Sequence, residues 1–141
     1  MTAALPVGVI GVGALGRHHA RHLADLPGAR LVGVTDIDDE RARAVAGELG
    51  TRALDLDRLL AEAAAVTIAV PTAVHAEVGL EALRRGVPVL MEKPLAASLT
   101  EADELLAAAG GAALIGAGLS LLRLRSPRTL HRPEAGAPIL D

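Results

Sequence analysis

The sequence predicts an α/β fold, a parallel sheet wound with helices on both faces, and three observations carry that expectation. A glycine loop, Gly11-Val12-Gly13-Ala14-Leu15-Gly16, lies between the apolar run Val7–Ile10 and a helix-like stretch from Arg17 to Leu26. Apolar runs of strand length then alternate with helical segments, as they do in βαβ units. Finally, an acid, Asp36, stands at the end of the second run, Leu31–Thr35, twenty positions after Gly16. Together these describe a Rossmann-type, doubly wound sheet.

Each element has a local reason. Val7–Ile10 is the first strand, and Leu15–Leu26 the first helix. Leu31–Thr35 is the second strand, and Asp39–Leu49 and Leu56–Ala63 are the next helices. Ala64–Val70 is a continuous apolar run suited to a strand buried on both faces. The helix from about Val74 to Arg85 stops at Gly86, a favoured C-terminal residue. Val87–Met91 is another buried strand, with Pro88 close enough to its start to be tolerated. Ser98 and Glu101 have capping-box spacing and open the last clear helix, and Ala112–Ile115 is the last strand-like segment. The expected organisation is a nucleotide-binding domain over 1–116 and an irregular Leu/Arg/Pro-rich tail over 117–141.

Composition narrows the function classes. At 141 residues and 51% hydrophobic, the chain is one domain with enough apolar mass for a core. A net charge of −3 argues against nucleic acid as the main partner. Without cysteine there is neither a disulfide framework nor a thiolate metal site. No apolar stretch approaches the ~20 residues of a membrane span, and Met1–Pro6 is too short for a signal peptide, so a cytoplasmic location with no membrane partner is expected. Phe, Tyr and Trp are absent, which leaves the core to Ala, Val, Leu and Ile and removes aromatic stacking as a binding device.

The glycine loop carries the chemistry. Gly11 permits a tight turn, Gly13 lets the backbone approach phosphate, and Gly16 lets the helix pack closely on the strand. The helix N-terminus, with the N–H groups of Ala14 and Leu15, then faces a dinucleotide pyrophosphate. Asp36 is placed to accept hydrogen bonds from the ribose hydroxyls and to repel a 2′-phosphate, so NAD(H) is expected over NADP(H). Arg17, Arg41 or Arg43 would soften that preference by folding over the adenosine. The bland alternative is an ordinary βα turn closed by an N-capping Asp.

Two further clusters follow strands, where open α/β sheets bind ligands. Pro71-Thr72-Ala73-Val74-His75 offers a rigid turn, a hydroxyl and an imidazole, and Glu92-Lys93-Pro94 places an amine on the same rim. Lys93 is suited to hydrogen-bond a substrate hydroxyl and move its proton. Its bland alternative is a solvated lysine paired with Glu92. His18 and His22, four apart on the first helix, have a spacing that suits metal ligands, but helix-face residues near the phosphates are the favoured reading and no metal is expected.

Taken in order, the G-x-G-x-x-G-Arg-His-His run, Asp36, Pro71-Thr72-x-x-His75 and Glu92-Lys93-Pro94 resemble the glucose-fructose oxidoreductase / inositol dehydrogenase family, Gfo/Idh/MocA, over roughly Val7 to Ile115. The resemblance implies an NAD(P)-dependent oxidoreductase that moves hydride between nicotinamide and a hydroxyl-bearing carbon of a sugar, polyol or related small molecule. It assigns the pyrophosphate to Gly11, Gly13 and Gly16 and the ribose to Asp36. Pro71, Thr72 and His75 would line the nicotinamide side, and Glu92 and Lys93 would face cofactor and substrate. Lys93 becomes the catalytic lysine, with a cis bond to Pro94.

Family members carry a second α/β domain that binds substrate and forms oligomers, and from Gly116 onward this chain departs from the family pattern. The expectation is a product lacking that domain, truncated or frame-shifted near residue 116. Three function classes follow: an oxidoreductase or its cofactor half, a stand-alone NAD(H)-binding module or redox sensor, and a subunit that pairs through Leu119–Leu124 with a chain supplying the missing domain.

Overall fold

A computed structural model describes residues 3–110 of the chain. Within them the order is β1 (Leu5–Ile10), α1 (Ala14–Asp25), β2 (Ala29–Thr35), α2 (Asp39–Leu49), α3 (Leu56–Glu62), β3 (Ala65–Ile68), a 3-10 turn (Thr72–Val74), α4 (His75–Arg84) and β4 (Val89–Met91). A further helix, α5, covers 99–110. The strands form one parallel sheet in the order β2-β1-β3-β4. The chain leaves β1 toward one edge and returns past it to reach β3, so the winding reverses between β1 and β3. That reversal opens a crevice at the carboxyl ends of the two central strands.

Helices cover both faces, as the sequence predicts. Val9, Val12, Ala20, Val34, Val45 and Ala46 form one core beneath α1 and α2. Ile10, Val32, Leu59, Leu60, Ala63, Val66, Ile68, Ala82 and Val87 form the other beneath α3 and α4. A core without aromatics must gain its contacts by close approach, because dispersion falls off within an ångström of the optimum. Two strand glycines provide that approach. A Cβ at Gly8 would stand 2.8 Å from Leu59 Cδ1, and one at Gly33 would stand 2.7 Å from Leu54 Cδ1. The leucines therefore occupy the space that strand side chains would otherwise fill.

The register of β1 against β2 slips at Val32, since Val7 pairs with Leu31 and Gly8 with Gly33. This bulge puts Val32 in the core under α3 and α4 and Val34 in the core under α1 and α2. Simple alternation would place residues two apart on one face.

Caps set the helix boundaries. The Asp38 carboxylate accepts from the Glu40 and Arg41 N–H groups at 3.1 Å, and α2 ends at Gly50 with φ +64°. Asp55 caps α3 through the Arg58 N–H at 2.7 Å. The capping box forms before α5, with the Glu101 N–H donating to Ser98 Oγ at 3.2 Å and the Ser98 N–H to Glu101 Oε2 at 3.1 Å. Two expectations shift. The helix expected from Val74 begins as a 3-10 turn at Thr72 and becomes α-helical at His75. The strand expected to be buried over Val87–Met91 is shorter and leaves Leu90 64% exposed, because β4 is the edge of the described sheet. The expected strand Ala112–Ile115 and the tail 117–141 lie outside the described residues.

Candidate functional site

The glycine loop closes the carboxyl end of β1. Gly11 has φ +84°, a conformation that L side chains rarely adopt, and its N–H is held by the Thr35 carbonyl at 2.8 Å. Gly13 is the N-cap of α1 and provides no side-chain cap, so the first N–H groups of the helix, from Ala14 to Gly16, have no intrahelical acceptor. The first turn of α1 also lacks an acidic residue that would compete with an anion there. Only Arg41 Nη1, at 3.9 Å, approaches the space in front of Gly13, whereas Gly16 is buried against Gly11 and Ala69. One glycine thus leaves room for a phosphate, and another draws the helix onto the loop.

Asp36 ends β2 beside this loop. Its side chain is 4% exposed, with Oδ2 accepting from the Val12 N–H at 2.8 Å and Oδ1 from the Asp38 N–H at 2.9 Å. The residue that caps α2 is Asp38, which removes the alternative in which Asp36 is merely an N-cap. Arg41 lies across both acids, with Nη1 3.6 Å from Asp36 Oδ2 and Nη2 3.0 Å from Asp38 Oδ2. Its backbone N–H, and then its guanidinium, hold the Asp38 carboxyl below the usual carboxylate range. Of the three arginines expected to soften the cofactor preference, only Arg41 lies beside Asp36; Arg17 pairs with Glu48 and Arg43 with Asp39.

The other end of the crevice is built from β3, α4 and the segment after β4. His75 opens α4 and is 1% exposed. Its Nδ1 lies 2.8 Å from the Pro94 carbonyl and its Nε2 2.9 Å from the Val70 carbonyl. A neutral imidazole donates to one of these oxygens, whereas an imidazolium donates to both. In either state His75 ties the end of β3 to the segment after β4. The Lys93–Pro94 bond is cis, as the family resemblance implies. Glu92 does not pair with Lys93; its Oε1 lies 2.5 Å from His19 Nε2 on α1. That hydrogen bond, assisted by the charge of His19, by the Lys93 N–H and by the Lys93 ammonium, holds the Glu92 carboxyl below its ordinary range.

These residues share a cleft of about 880 Å³ lined by Gly11, Gly13, Ala14, Leu15, Asp36, Pro71, Thr72, His75, Glu92 and Lys93, among others. Gly16 lies beneath the loop and shapes the cleft without lining it. His18 and His22 are exposed on α1, and among the described residues no three His, Cys, Asp or Glu side chains converge as a metal site would require. No helix among the described residues is long and apolar enough to cross a membrane. Sequence reasoning passed over His19, although it belongs to the Arg-His-His run. It also passed over a compositional signal: Lys93 is the sole lysine, and the other thirteen of the fourteen basic residues are arginine.

Residues 5–118 match the model of an oxidoreductase family with an NAD-binding Rossmann fold, Gfo/Idh/MocA. The chain belongs to this family. It is 48% identical over 100 residues to a UDP-N-acetylglucosamine 3-dehydrogenase of Acidithiobacillus ferrooxidans, a match that covers 70% of this chain and 31% of that protein. It is 38% identical over 148 residues to an inositol 2-dehydrogenase of Rubrobacter xylanophilus, covering 96% of this chain and 42% of the relative. Among solved structures, the myo-inositol dehydrogenase of Lactobacillus casei in complex with NAD(H) and myo-inositol superposes with a TM-score of 0.71 at 34% identity, covering 77% of this chain and 34% of that one. This Gfo/Idh/MocA chain thus spans roughly a third to two fifths of the length of these relatives. Its glycine cradle, uncapped α1 and buried Asp36 provide the donor and acceptor set that a dinucleotide of this family needs.

Proposed function

We propose that the chain holds NAD(H) and acts as the cofactor-binding part of a dehydrogenase that moves hydride between nicotinamide and a hydroxyl-bearing carbon of a sugar or polyol. Gly11, Gly13, Ala14, Leu15 and Gly16 shape the pyrophosphate site, and Asp36 accepts from the ribose hydroxyls. Pro71, Thr72 and His75 border the nicotinamide side, with Glu92 and Lys93 between cofactor and substrate. When bound, nicotinamide supplies the hydride acceptor or donor. Lys93 Nζ hydrogen-bonds the substrate hydroxyl and takes or returns its proton as the carbon is oxidised or reduced.

The observation that carries this reading is the lone lysine. Arginine serves in every ion pair described for this chain that has a Lys or Arg member. Guanidinium cannot lose its proton in a protein, however, whereas an amine can. The one position that keeps an amine is the exposed rim of the cleft, directly after β4. The relatives support the substrate class, since the inositol and UDP-N-acetylglucosamine enzymes are both dehydrogenases of hydroxyl-rich molecules.

The test is a fluorescence titration of the purified chain with NADH. The chain lacks Trp, Tyr and Phe, so nicotinamide emission is read without protein background. Saturable binding is expected, weakened by Asp36→Ala and little changed by Lys93→Ala, because the work proposed for Lys93 is on the substrate. Absence of saturable NADH binding by the folded chain would sink the reading.

A further inference from the structure

Glu92 and Lys93 are adjacent on the rim of the cleft and form no ion pair, although the Lys93 charge lies near enough to favour the Glu92 carboxylate. Glu92 Oε1 is taken by His19 Nε2 at 2.5 Å, a contact that spans 73 positions of sequence from α1 to the end of β4. The Glu92 backbone is fixed as well, with its N–H donating to the Ile68 carbonyl at 3.1 Å. On the far side of Lys93, the Pro94 carbonyl is held by His75 Nδ1 at 2.8 Å, and His75 is itself anchored at the Val70 carbonyl. The residues before and after Lys93 are thus each held by a histidine, one from α1 and one from α4. Seven of the described arginines pair with carboxylates, whereas Lys93 forms no ion pair with any described residue.

We propose that His19 is a positioning residue: by occupying the Glu92 carboxylate it keeps the neighbouring Lys93 amine out of an ion pair, so that the amine remains available for proton exchange with a substrate. His75 fixes the other side of the same segment. The inference rests on the reading that Lys93 works at the cofactor cleft, and it adds the reason that the amine is free to do so. The Glu92 carboxyl is held below its usual range, so the group that His19 restrains is a carboxylate at neutral pH. Once released, it would be an anion one residue from an ammonium. An ammonium paired in that way gives up its proton less readily.

A chain with one lysine allows a direct test. The full chain is treated with an amine-acylating succinimidyl ester near neutral pH, and the rate of labelling at Lys93 is followed by peptide mass spectrometry. His19 is partly exposed, so His19→Ala is expected to fold, which circular dichroism checks. In that variant the labelling rate is expected to fall roughly two- to fivefold, the range of an exposed ion pair. His19→Gln retains an N–H donor and is expected to stay near the wild-type rate. Adding Glu92→Gln to His19→Ala removes the released anion and should restore the rate.

An unchanged rate in His19→Ala overturns the proposal. So does a rise, which would mean that His19 merely keeps the segment closed. The underlying reading is tested separately, since saturating NADH should protect Lys93 in the wild-type chain. Failure of that protection would remove Lys93 from the cofactor cleft whatever the His19 variants show.

Discussion

Replacing Gly16 by alanine puts a methyl group where helix α1 meets the glycine loop. The new Cβ would stand 2.8 Å from the Gly11 carbonyl carbon, closer still to its oxygen, and 3.2 Å from Ala69 Cβ. The first two contacts are with backbone, which no rotamer change relieves. Gly11 cannot yield cheaply, because its N–H is fixed to the Thr35 carbonyl and its φ is +84°. Overpacking of this kind costs about 3 kcal/mol at the upper end of its range. Alanine returns about 1 kcal/mol of helix propensity over glycine. The net loss is therefore about 2 kcal/mol, or roughly 8 °C in Tm for a domain of this size.

The same displacement moves the N–H groups of Ala14 and Leu15 away from the phosphate position proposed above, so NADH affinity should fall at least about tenfold, equivalent to 1.4 kcal/mol. Urea unfolding followed by far-ultraviolet circular dichroism gives the stability, and nicotinamide fluorescence gives the affinity. Wild-type values of both in Gly16→Ala would refute the close packing of α1 on the loop.

Other outcomes follow from the same geometry. Gly47 lies within α2 with no atom within 4 Å of a built Cβ, so Gly47→Ala should stabilise by about 0.5–1 kcal/mol in the same urea assay. NADH should bind more tightly than NADPH because of Asp36, and Arg41→Ala should widen the gap roughly two- to fivefold by removing a compensating charge 3.6 Å away; comparable affinities for the two cofactors would contradict the role of Asp36. Acid stability has a definite sign. The carboxyls of Glu48 and Glu62 are held below their ordinary range by hydrogen bonds from Arg17 and Arg21 and from Arg52 and Arg58. A lowered folded-state pKa adds stability that is fully present above the unfolded value, about 4.3, and is lost as pH falls through the folded value. Urea midpoints should accordingly be flat from pH 7 to about 5 and fall below about 4. The double variant Glu48→Gln/Glu62→Gln should lose less in acid, and an unchanged acid limb would count against these pairs.

Features set by local chemistry were legible in the sequence. The glycine loop, the Asp39–Leu49 helix and the Ser98/Glu101 box appear where the residues place them, because turns and caps are decided within a few positions. Features set by a distant element were not. The spacing from Gly16 singled out Asp36 among three acids near one helix start, but not the Val12 N–H that holds its carboxylate beside the loop. Three histidines crowd α1, and the phase of that helix against the sheet turns His19 toward Glu92 while His18 and His22 face outward. The slip at Val32 depends on the partner strand, so no pattern within β2 alone would have revealed it.

The glycines at 8 and 33 have an evolutionary consequence. Each faces a leucine that fills the volume its own side chain would need, Leu59 and Leu54 respectively. Enlarging Gly8 alone collides with Leu59, and trimming Leu59 alone to alanine leaves a void worth about 2–5 kcal/mol. Positions 8 and 59 can therefore drift only as a pair, and across descendants of this chain they should vary in concert, a larger residue in the strand accompanied by a smaller one opposite; at 33 the Arg52 carbonyl, 3.0 Å from a built Cβ, opposes enlargement even where Leu54 shrinks.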